Sequence, residues 1–240
     1  MPYLPIFFIS TLAATLQASL GFGYGVIGMS LFPLVMPYVP SITLCTISAP
    51  LSNVIVVCRY FREIQWRKLW LPMFLSLIAS TAISQVVVTQ TEELLKQILG
   101  IFLILLALYF LLFKNRIKIK GTAFSGSICG ILSGLGGGFF GVNGPPAVIY
   151  FMAAAQGDNR KYLATAQMFF FVLNVHITVI RILDGVVTKE LLWMALVGIL
   201  GVGVGTLLGL KIFKRLNMNA LYYFVYLFMI GMGVFTFLTA

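Results

Sequence analysis

The sequence predicts an all-α polytopic membrane protein made of two inverted repeats. Of its 240 residues, 60% are hydrophobic and only 9% are charged, whereas soluble domains carry about 25% charged residues. The apolar residues form continuous stretches rather than alternating positions, which excludes a transmembrane β-barrel. Because a helical span needs about 20 apolar residues, the chain has room for roughly eight spanning or half-spanning segments.

Each half of the chain contains a series of apolar segments. The first-half segments are A (Leu4–Leu20), B (Val26–Val39), C (Thr43–Phe61), D (Leu69–Val88) and E (Leu94–Phe113). The second-half segments are A′ (Thr122–Ser133), B′ (Pro145–Ala155), C′ (Tyr162–Ile182), D′ (Leu191–Leu210) and E′ (Ala220–Leu238). Segments C, D, E, C′, D′ and E′ are long enough to span a bilayer, whereas A′ and B′ are too short and B is marginal.

The distribution of Lys and Arg predicts the orientation of these segments, because cytoplasmic connections are enriched in both residues. Thirteen of the 16 basic residues fall in the C–D, E–A′, B′–C′ and D′–E′ connections, which are therefore predicted to be cytoplasmic. Both termini are then predicted to lie outside. The A/B pair begins and ends outside and the A′/B′ pair begins and ends inside, so each pair is either a re-entrant hairpin or two short spans.

A set of four glycines and a proline recurs in both halves at an offset of 113 positions. The set is Gly21, Gly23, Gly25, Gly28 and Pro33 in the first half and Gly134, Gly136, Gly138, Gly141 and Pro146 in the second. We therefore predict a first repeat at residues 1–113, a basic cytoplasmic linker at 114–121 and a second, inverted repeat at 122–240. Inverted repeats are typical of secondary transporters, in which two related bundles expose a central site alternately.

The glycine triplet Gly136–Gly138 and the two prolines that follow it predict a broken helix. Each glycine costs a helix about 1 kcal/mol relative to alanine, so we expect the helix to end before the triplet. Proline suits a first helical turn, so B′ is expected to start at Pro145, with its N-terminus near the middle of the membrane. A helix N-terminus there favours a small anion. The alternative is that the glycines only allow helices to cross closely.

The loop SGLGGGFFGVNGPP, its counterpart SLGFGYGVIGMSLFP and the duplicated layout resemble the sulfite exporter TauE/SafE family, also called the toluenesulfonate uptake permease family. The resemblance covers nearly the whole chain. It implies a multi-pass permease of the inner membrane that moves small sulfur-containing or organic anions, such as sulfite or sulfonates.

Polar side chains inside the predicted spans are further candidates for an anion site. Gln167, Asn174 and Arg181 are spaced by seven on C′ and share one helix face, and Asn53 lies near the middle of C. Buried amides are costly unless paired or wetted, so they either bind substrate or join helices. Arg181 is expected near the outer surface, where it either attracts anions at an entrance or snorkels.

The predicted substrate site lies between the two glycine loops and combines loop glycines with neutral amides. Its residues are Gly21, Gly23, Gly25, Asn53, Gly134, Gly136, Gly137, Gly138, Asn143, Gln167 and Asn174, with Arg181 at the entrance. We predict no catalytic residue, cofactor or metal site. The predicted partners are a small anion and the lipid bilayer, while protons as a coupling ion and a homo-oligomer stay open.

The predicted function is therefore an anion permease of the cell membrane that works by alternating access. The main alternative, an intramembrane enzyme, needs a nucleophile with a base or a metal cluster. The single histidine, His176, faces away from Asn174 and is expected to be packed or hydrogen-bonded. A redox or assembly protein is less favoured because the three cysteines form no CxxC motif. Nucleic-acid binding is rejected because the basic residues sit in short clusters between apolar runs.

The inverted topology can be tested by labelling single cysteines from either side of the membrane. We expect cysteines placed at Lys118 and Lys214 to be labelled from the cytoplasm and those at Glu92 and Lys189 from outside. Labelling of the Glu92 and Lys118 positions from the same side would exclude this topology.

Overall fold

The computed structural model describes residues 3–113, 120–212 and 218–240, and these residues are almost entirely helical. The all-α fold class is therefore confirmed. The basic residues Lys114, Arg116, Lys118, Lys214 and Arg215, which contribute to the predicted topology, lie outside the described residues.

Within the described residues, each half contributes five α-helices in the same order. The first half forms α1 (Tyr3–Leu20), α2 (Tyr24–Leu31), α3 (Tyr38–Tyr60), α4 (Trp66–Val87) and α5 (Glu92–Phe113). The second half forms α6 (Ala123–Phe140), α7 (Gly144–Ala154), α8 (Asn159–Leu183), α9 (Lys189–Ile212) and α10 (Met218–Leu238). Short 3-10 turns follow α2 at Phe32–Leu34 and α3 at Phe61–Glu63.

Six helices within the described residues are long and apolar enough to cross a membrane: α3, α4, α5, α6, α8 and α9. Five of them were expected from the sequence. The sixth, α6, corrects the prediction that A′ is too short, because the helix continues to Phe140 instead of ending at Ser133. Helices α2 and α7 are short, as expected for B and B′. Helix α10, expected as the span E′, has an apolar stretch at Val225–Leu238 that is shorter than these six spans.

The expectation that the helix ends before the glycine triplet is wrong. Helix α6 runs through the triplet and ends in a left-handed cap at Gly141, whose φ is 65° and whose N–H donates to the carbonyl of Gly137. Close packing explains why α6 stays helical there. A Cβ on Gly134 would collide with the carbonyl of Ser76 on α4, so glycine is needed for this crossing. In a membrane, intrahelical hydrogen bonds and close contacts outweigh the low helix propensity of glycine.

The register of the glycine repeat also differs from the one inferred from the sequence. Helix α6 ends 120 positions after α1, at Phe140 against Leu20. This register pairs Gly21 with Gly141, which both directly follow a helix and have positive φ, 80° and 65°. The offset of 113 positions instead pairs Gly21 with Gly134, which lies inside α6.

Helices pack mainly against helices of the other half. Helix α1 lies along α9 and α4 lies along α6, while α3 packs on α8 and α5 on α10. The α1–α9 crossing uses glycine as the α4–α6 crossing does, because Gly201, Gly205 and Gly209 of α9 rest on backbone carbonyls of α1. Exchanging the two halves therefore converts the α1–α9 interface into the α4–α6 interface and maps the α3–α8 and α5–α10 interfaces onto themselves.

Helix α8 starts at a capped turn. The side chain of Asp158 accepts hydrogen bonds from the backbone amides of Arg160 and Lys161, at 3.0 and 3.2 Å. The bond from the Lys161 amide is the main reason that the pKa of Asp158 lies below its ordinary value. A defined start fixes the register of α8, which carries Gln167, Asn174 and Arg181 on one face.

Two glycines of α9 provide a matched test of the close crossing with α1. We expect Gly205→Ala to destabilise the protein by about 1–3 kcal/mol, because the added Cβ would collide with the carbonyl of Thr11. Gly203→Ala should have no such cost, because its nearest neighbour, a methyl of Leu51, lies 3.9 Å from the added Cβ. Thermal unfolding in detergent measures both. Equal midpoints for the two variants would contradict the packing argument.

Candidate functional site

The two interruptions of the helical backbone meet inside the bundle. Loop 1 (residues 21–23) joins α1 to α2, and loop 2 (residues 141–143) joins α6 to α7. A Cβ on Gly25 would collide with the carbonyl of Gly141, and a Cβ on Gly144 would lie 3.2 Å from that of Phe22. The first turn of α2 therefore touches the backbone of loop 2 at Gly25, which only glycine permits, and the first residue of α7 lies close to loop 1.

A small cavity lies between the loops. Its polar lining consists of the side chains of Gln17, Asn53, Asn143 and Asn174 with loop backbone, and Phe22, Val26, Ala49 and Phe170 contribute apolar surface. Cys45 and Tyr24 complete one wall. The cavity is small: the centre of a water molecule can move within a volume of about 20 Å³. This is room for about one water molecule. A small oxyanion is larger than that, so its entry requires the surrounding elements to move apart.

The N-termini of α2 and α7 both border this cavity, since Tyr24 and Gly144 belong to its lining. A helix N-terminus carries a partial positive charge and N–H groups without intrahelical acceptors. The two ends differ in their donors. Helix α2 offers the N–H groups of Gly25 and Val26, whereas α7 has Pro145 and Pro146 at the equivalent positions, and proline has no N–H.

On the first-repeat side, Gln17 links loop 1 to α3. Its Oε1 accepts the backbone N–H of Tyr24 at 3.1 Å, and its Nε2 donates to Oδ1 of Asn53 at 3.0 Å. Asn53 is completely buried and its Nδ2 has no hydrogen-bond partner. A buried amide donor without an acceptor is costly, so this nitrogen is a candidate contact for a ligand.

On the second-repeat side, Asn143 and Asn174 are paired. Nδ2 of Asn143 donates to Oδ1 of Asn174 at 3.0 Å, which joins loop 2 to α8. Asn143 occupies the cap position of α7, but its side chain makes no capping hydrogen bond there. Both residues line the cavity, as the sequence predicts for members of the site.

Gln167 and Arg181 contact the broken helices rather than the cavity. Nε2 of Gln167 donates to the carbonyl of Gly21 at 2.8 Å. Arg181 lies in the last turn of α8 and is completely buried, so its side chain is not exposed at an entrance. Its guanidinium donates to the carbonyls of Gly138, at 3.2 Å, and Ser84, at 3.1 Å, and lies 3.9 Å from a carboxylate oxygen of Asp184.

The glycines of the triplet region lie in α6 and outside the cavity lining. Gly134 and Gly138 face α4, where added Cβ atoms would meet Ser76 and Ser80. A Cβ on Gly136 would lie 2.5 Å from the carbonyl of Val142, and one on Gly137 would lie 3.2 Å from Cβ of Asn143. The structure thus favours the packing interpretation for these four glycines, and the loop at residues 141–143 takes their place.

Of the predicted site residues, Gly23, Gly25, Asn53, Asn143 and Asn174 come together around the cavity. Gly21 lies beside it and is bound by Gln167. Sequence reasoning missed Gln17, Gly141 and Gly144. The signal for Gln17 was present, because it is the only amide side chain in apolar segment A. His176 is hydrogen-bonded as expected, with its Nε2 2.8 Å from the hydroxyl of Thr81 on α4.

Comparisons with known proteins give one positive result. The family model described as "Sulfite exporter TauE/SafE" matches residues 6–236. No curated protein and no solved structure matches the chain.

Arg181 provides a test of how the end of α6 is held. Replacing it by leucine should destabilise the protein by about 1–3 kcal/mol for each buried carbonyl that loses its donor. The matched control is Arg160→Leu on the same helix, because Arg160 is exposed and its side chain has no resolved partner in the described structure. Thermal unfolding in detergent measures both variants. An Arg181→Leu variant as stable as the control would show that these hydrogen bonds contribute little.

Proposed function

Since the chain belongs to the sulfite exporter TauE/SafE family, we propose that it moves sulfite, a sulfonate or a related small anion across the membrane by alternating access. The family is one of transporters, so the chain is a multi-pass membrane transporter and not an enzyme. The single observation that carries the proposal is the polar cavity between two broken helices. We assign the substrate to this cavity.

The electrostatics of the cavity support an anion. Two helix N-termini border it, and each contributes a partial positive charge. The unpartnered Nδ2 of Asn53 is a hydrogen-bond donor, which requires an acceptor on the ligand. Asn143 and Asn174 form the opposite wall and complete the contacts with the anion.

The neutrality of the lining supports transport rather than storage. The cavity is lined by amides, glycines and apolar side chains, and Arg181, the buried cation of α8, is engaged by two carbonyls and Asp184. A lysine or arginine in direct contact would hold an anion tightly and oppose its release. Conduction requires binding that is weak enough for the ligand to leave.

The packing of each half against the other, with the cavity between them, supports alternating access. Residues 1–113 and 122–240 act in this proposal as the two inverted repeats, joined by the linker at 114–121. Because loop 1 and loop 2 belong to different repeats, a relative movement of the repeats opens the cavity towards one side or the other. The proposed location is the cell inner membrane, with both termini outside.

Filling the cavity should stop transport. Ala49 lines the cavity and is 5% exposed, so Ala49→Leu places three more carbons where about one water fits. We expect sulfite flux into proteoliposomes that contain only this protein to fall at least about tenfold, the equivalent of about 1.4 kcal/mol. An imposed pH gradient in the same assay tests protons as the coupling ion.

The matched control is Ala82→Leu, which adds the same side chain on the exposed face of α4. It should transport sulfite as the wild type does. Size-exclusion profiles and unfolding midpoints show whether each variant is folded. A folded Ala49→Leu variant with wild-type flux would place the permeation path elsewhere, and a wild type with no flux above that of empty liposomes would refute the proposed function.

A further inference from the structure

We propose that the anion is recognised by the first repeat, through a donor array whose polarity is set by Gln17, and not by the glycine-rich second repeat. The array consists of the N–H groups of Gly25 and Val26 and Nδ2 of Asn53. This inference rests on the proposed function and names the recognition elements of the same cavity.

The orientation of Gln17 follows from one group of known identity. The backbone N–H of Tyr24 can only donate, so the side-chain atom of Gln17 that faces it at 3.1 Å must be the carbonyl oxygen. The amide nitrogen of Gln17 then faces Asn53 and donates to its Oδ1 at 3.0 Å. Asn53 is left with only its nitrogen to present to the cavity, and that nitrogen has no partner.

The relay has a functional consequence. The N–H of Tyr24 donates to Gln17, and the amide nitrogen of Gln17 donates to Asn53. The amide nitrogen of Asn53 is then the donor that remains for the cavity. Gln17 is 7% exposed and Asn53 is fully buried, so solvent does not compete for these groups. Gln17 is therefore a positioning residue. Its oxygen and nitrogen are bonded to Tyr24 and Asn53, and it acts on the anion by orienting Asn53.

The first turn of α2 adds donors to the same wall. The backbone N–H of Ile27 donates to the carbonyl of Gly23 at 3.0 Å, so Gly23 is the N-cap of α2. The N–H groups of Gly25 and Val26 therefore lie in the first turn, where helix geometry provides no acceptor. Both residues line the same cavity as Asn53.

The second repeat offers fewer donors at the equivalent place. Pro145 and Pro146 occupy the second and third positions of α7 and have no N–H. One of the two N–H groups on Nδ2 of Asn143 is used, because it donates to Asn174. The second repeat therefore presents no backbone N–H at these two positions, while the first repeat presents two, together with the unpartnered Nδ2 of Asn53.

The sharpest test is Gln17→Glu, which preserves shape and, when ionised, both reverses the hydrogen-bond polarity at Asn53 and places a negative charge beside the cavity. An ionised carboxylate accepts from both Tyr24 and Asn53, so Asn53 turns its nitrogen away from the cavity and presents oxygen to the anion. A protonated carboxyl accepts from Tyr24 and donates to Asn53, as glutamine does. We therefore expect sulfite flux of this variant, relative to wild type at the same pH, to approach one at about pH 5.5 and to fall at least about tenfold by about pH 9.5.

The ratio to wild type at each pH removes the effect of sulfite's own protonation. The matched control is Gln17→Met, which has similar length, accepts no proton and can neither hold nor invert Asn53. Its flux relative to wild type should be reduced and should not vary with pH. A role of Gln17 in packing alone would give losses in both variants without a pH-dependent ratio in Gln17→Glu. Repulsion by the ionised carboxylate without a relay would leave Asn53→Leu with near-wild-type flux.

A second pair of variants compares the two repeats directly. Asn53→Leu should raise the concentration of sulfite for half-maximal flux at least about tenfold, as expected when a donor to a charged ligand is lost. Asn174→Leu should raise it by a clearly smaller factor, about threefold or less, because its Oδ1 serves Asn143. A larger effect of Asn174→Leu, or a pH-independent ratio for Gln17→Glu, overturns this inference. If the wild type transports sulfite in either case, the proposed function still stands.

Discussion

Backbone that leaves the helix inside a membrane protein must find its hydrogen bonds within the protein, and this constraint organises the whole structure. Two such breaks within the described residues are loop 1 and loop 2, and several buried polar side chains hydrogen-bond at or beside them. Gln167 binds the carbonyl of Gly21, Gln17 binds the N–H of Tyr24, and Arg181 binds the carbonyl of Gly138. Tyr38 does the same for Phe139, with its hydroxyl 3.0 Å from that carbonyl.

The stripe on α8 shows how far this constraint reaches. Gln167, Asn174 and Arg181 are seven residues apart, and they contact loop 1, loop 2 and the end of α6 in turn. One helix of the second repeat thus touches both breaks in the chain. A shift of α8 along its axis would strain all three sets of hydrogen bonds together, which couples the two loops to the movement of one helix.

The sequence predicted the parts of the fold that depend on apolar length and side-chain periodicity. The long spans and the shared face of Gln167 and Asn174 follow from these rules, and five of the predicted site residues line one cavity. The course of α6 could not be predicted, because helix propensity assigns a cost to the glycine triplet while the close contact of Gly134 with α4 is a tertiary effect. The repeat register failed for the same reason: glycines that allow close crossing in α6 were matched with glycines that form loop 1.

The role of Gln17 could not be read from the sequence because it depends on direction and not on residue type. An amide can donate or accept, and only the fixed donor of Tyr24 decides which end faces Asn53. Neutral groups arranged in this way can favour an anion without a net charge, because their orientation supplies the positive potential. The buried cation of the same helix stripe, Arg181, holds backbone carbonyls and sits beside Asp184. The charge therefore stabilises the scaffold, and in the proposed mechanism neutral dipoles bind the substrate weakly enough for it to be released.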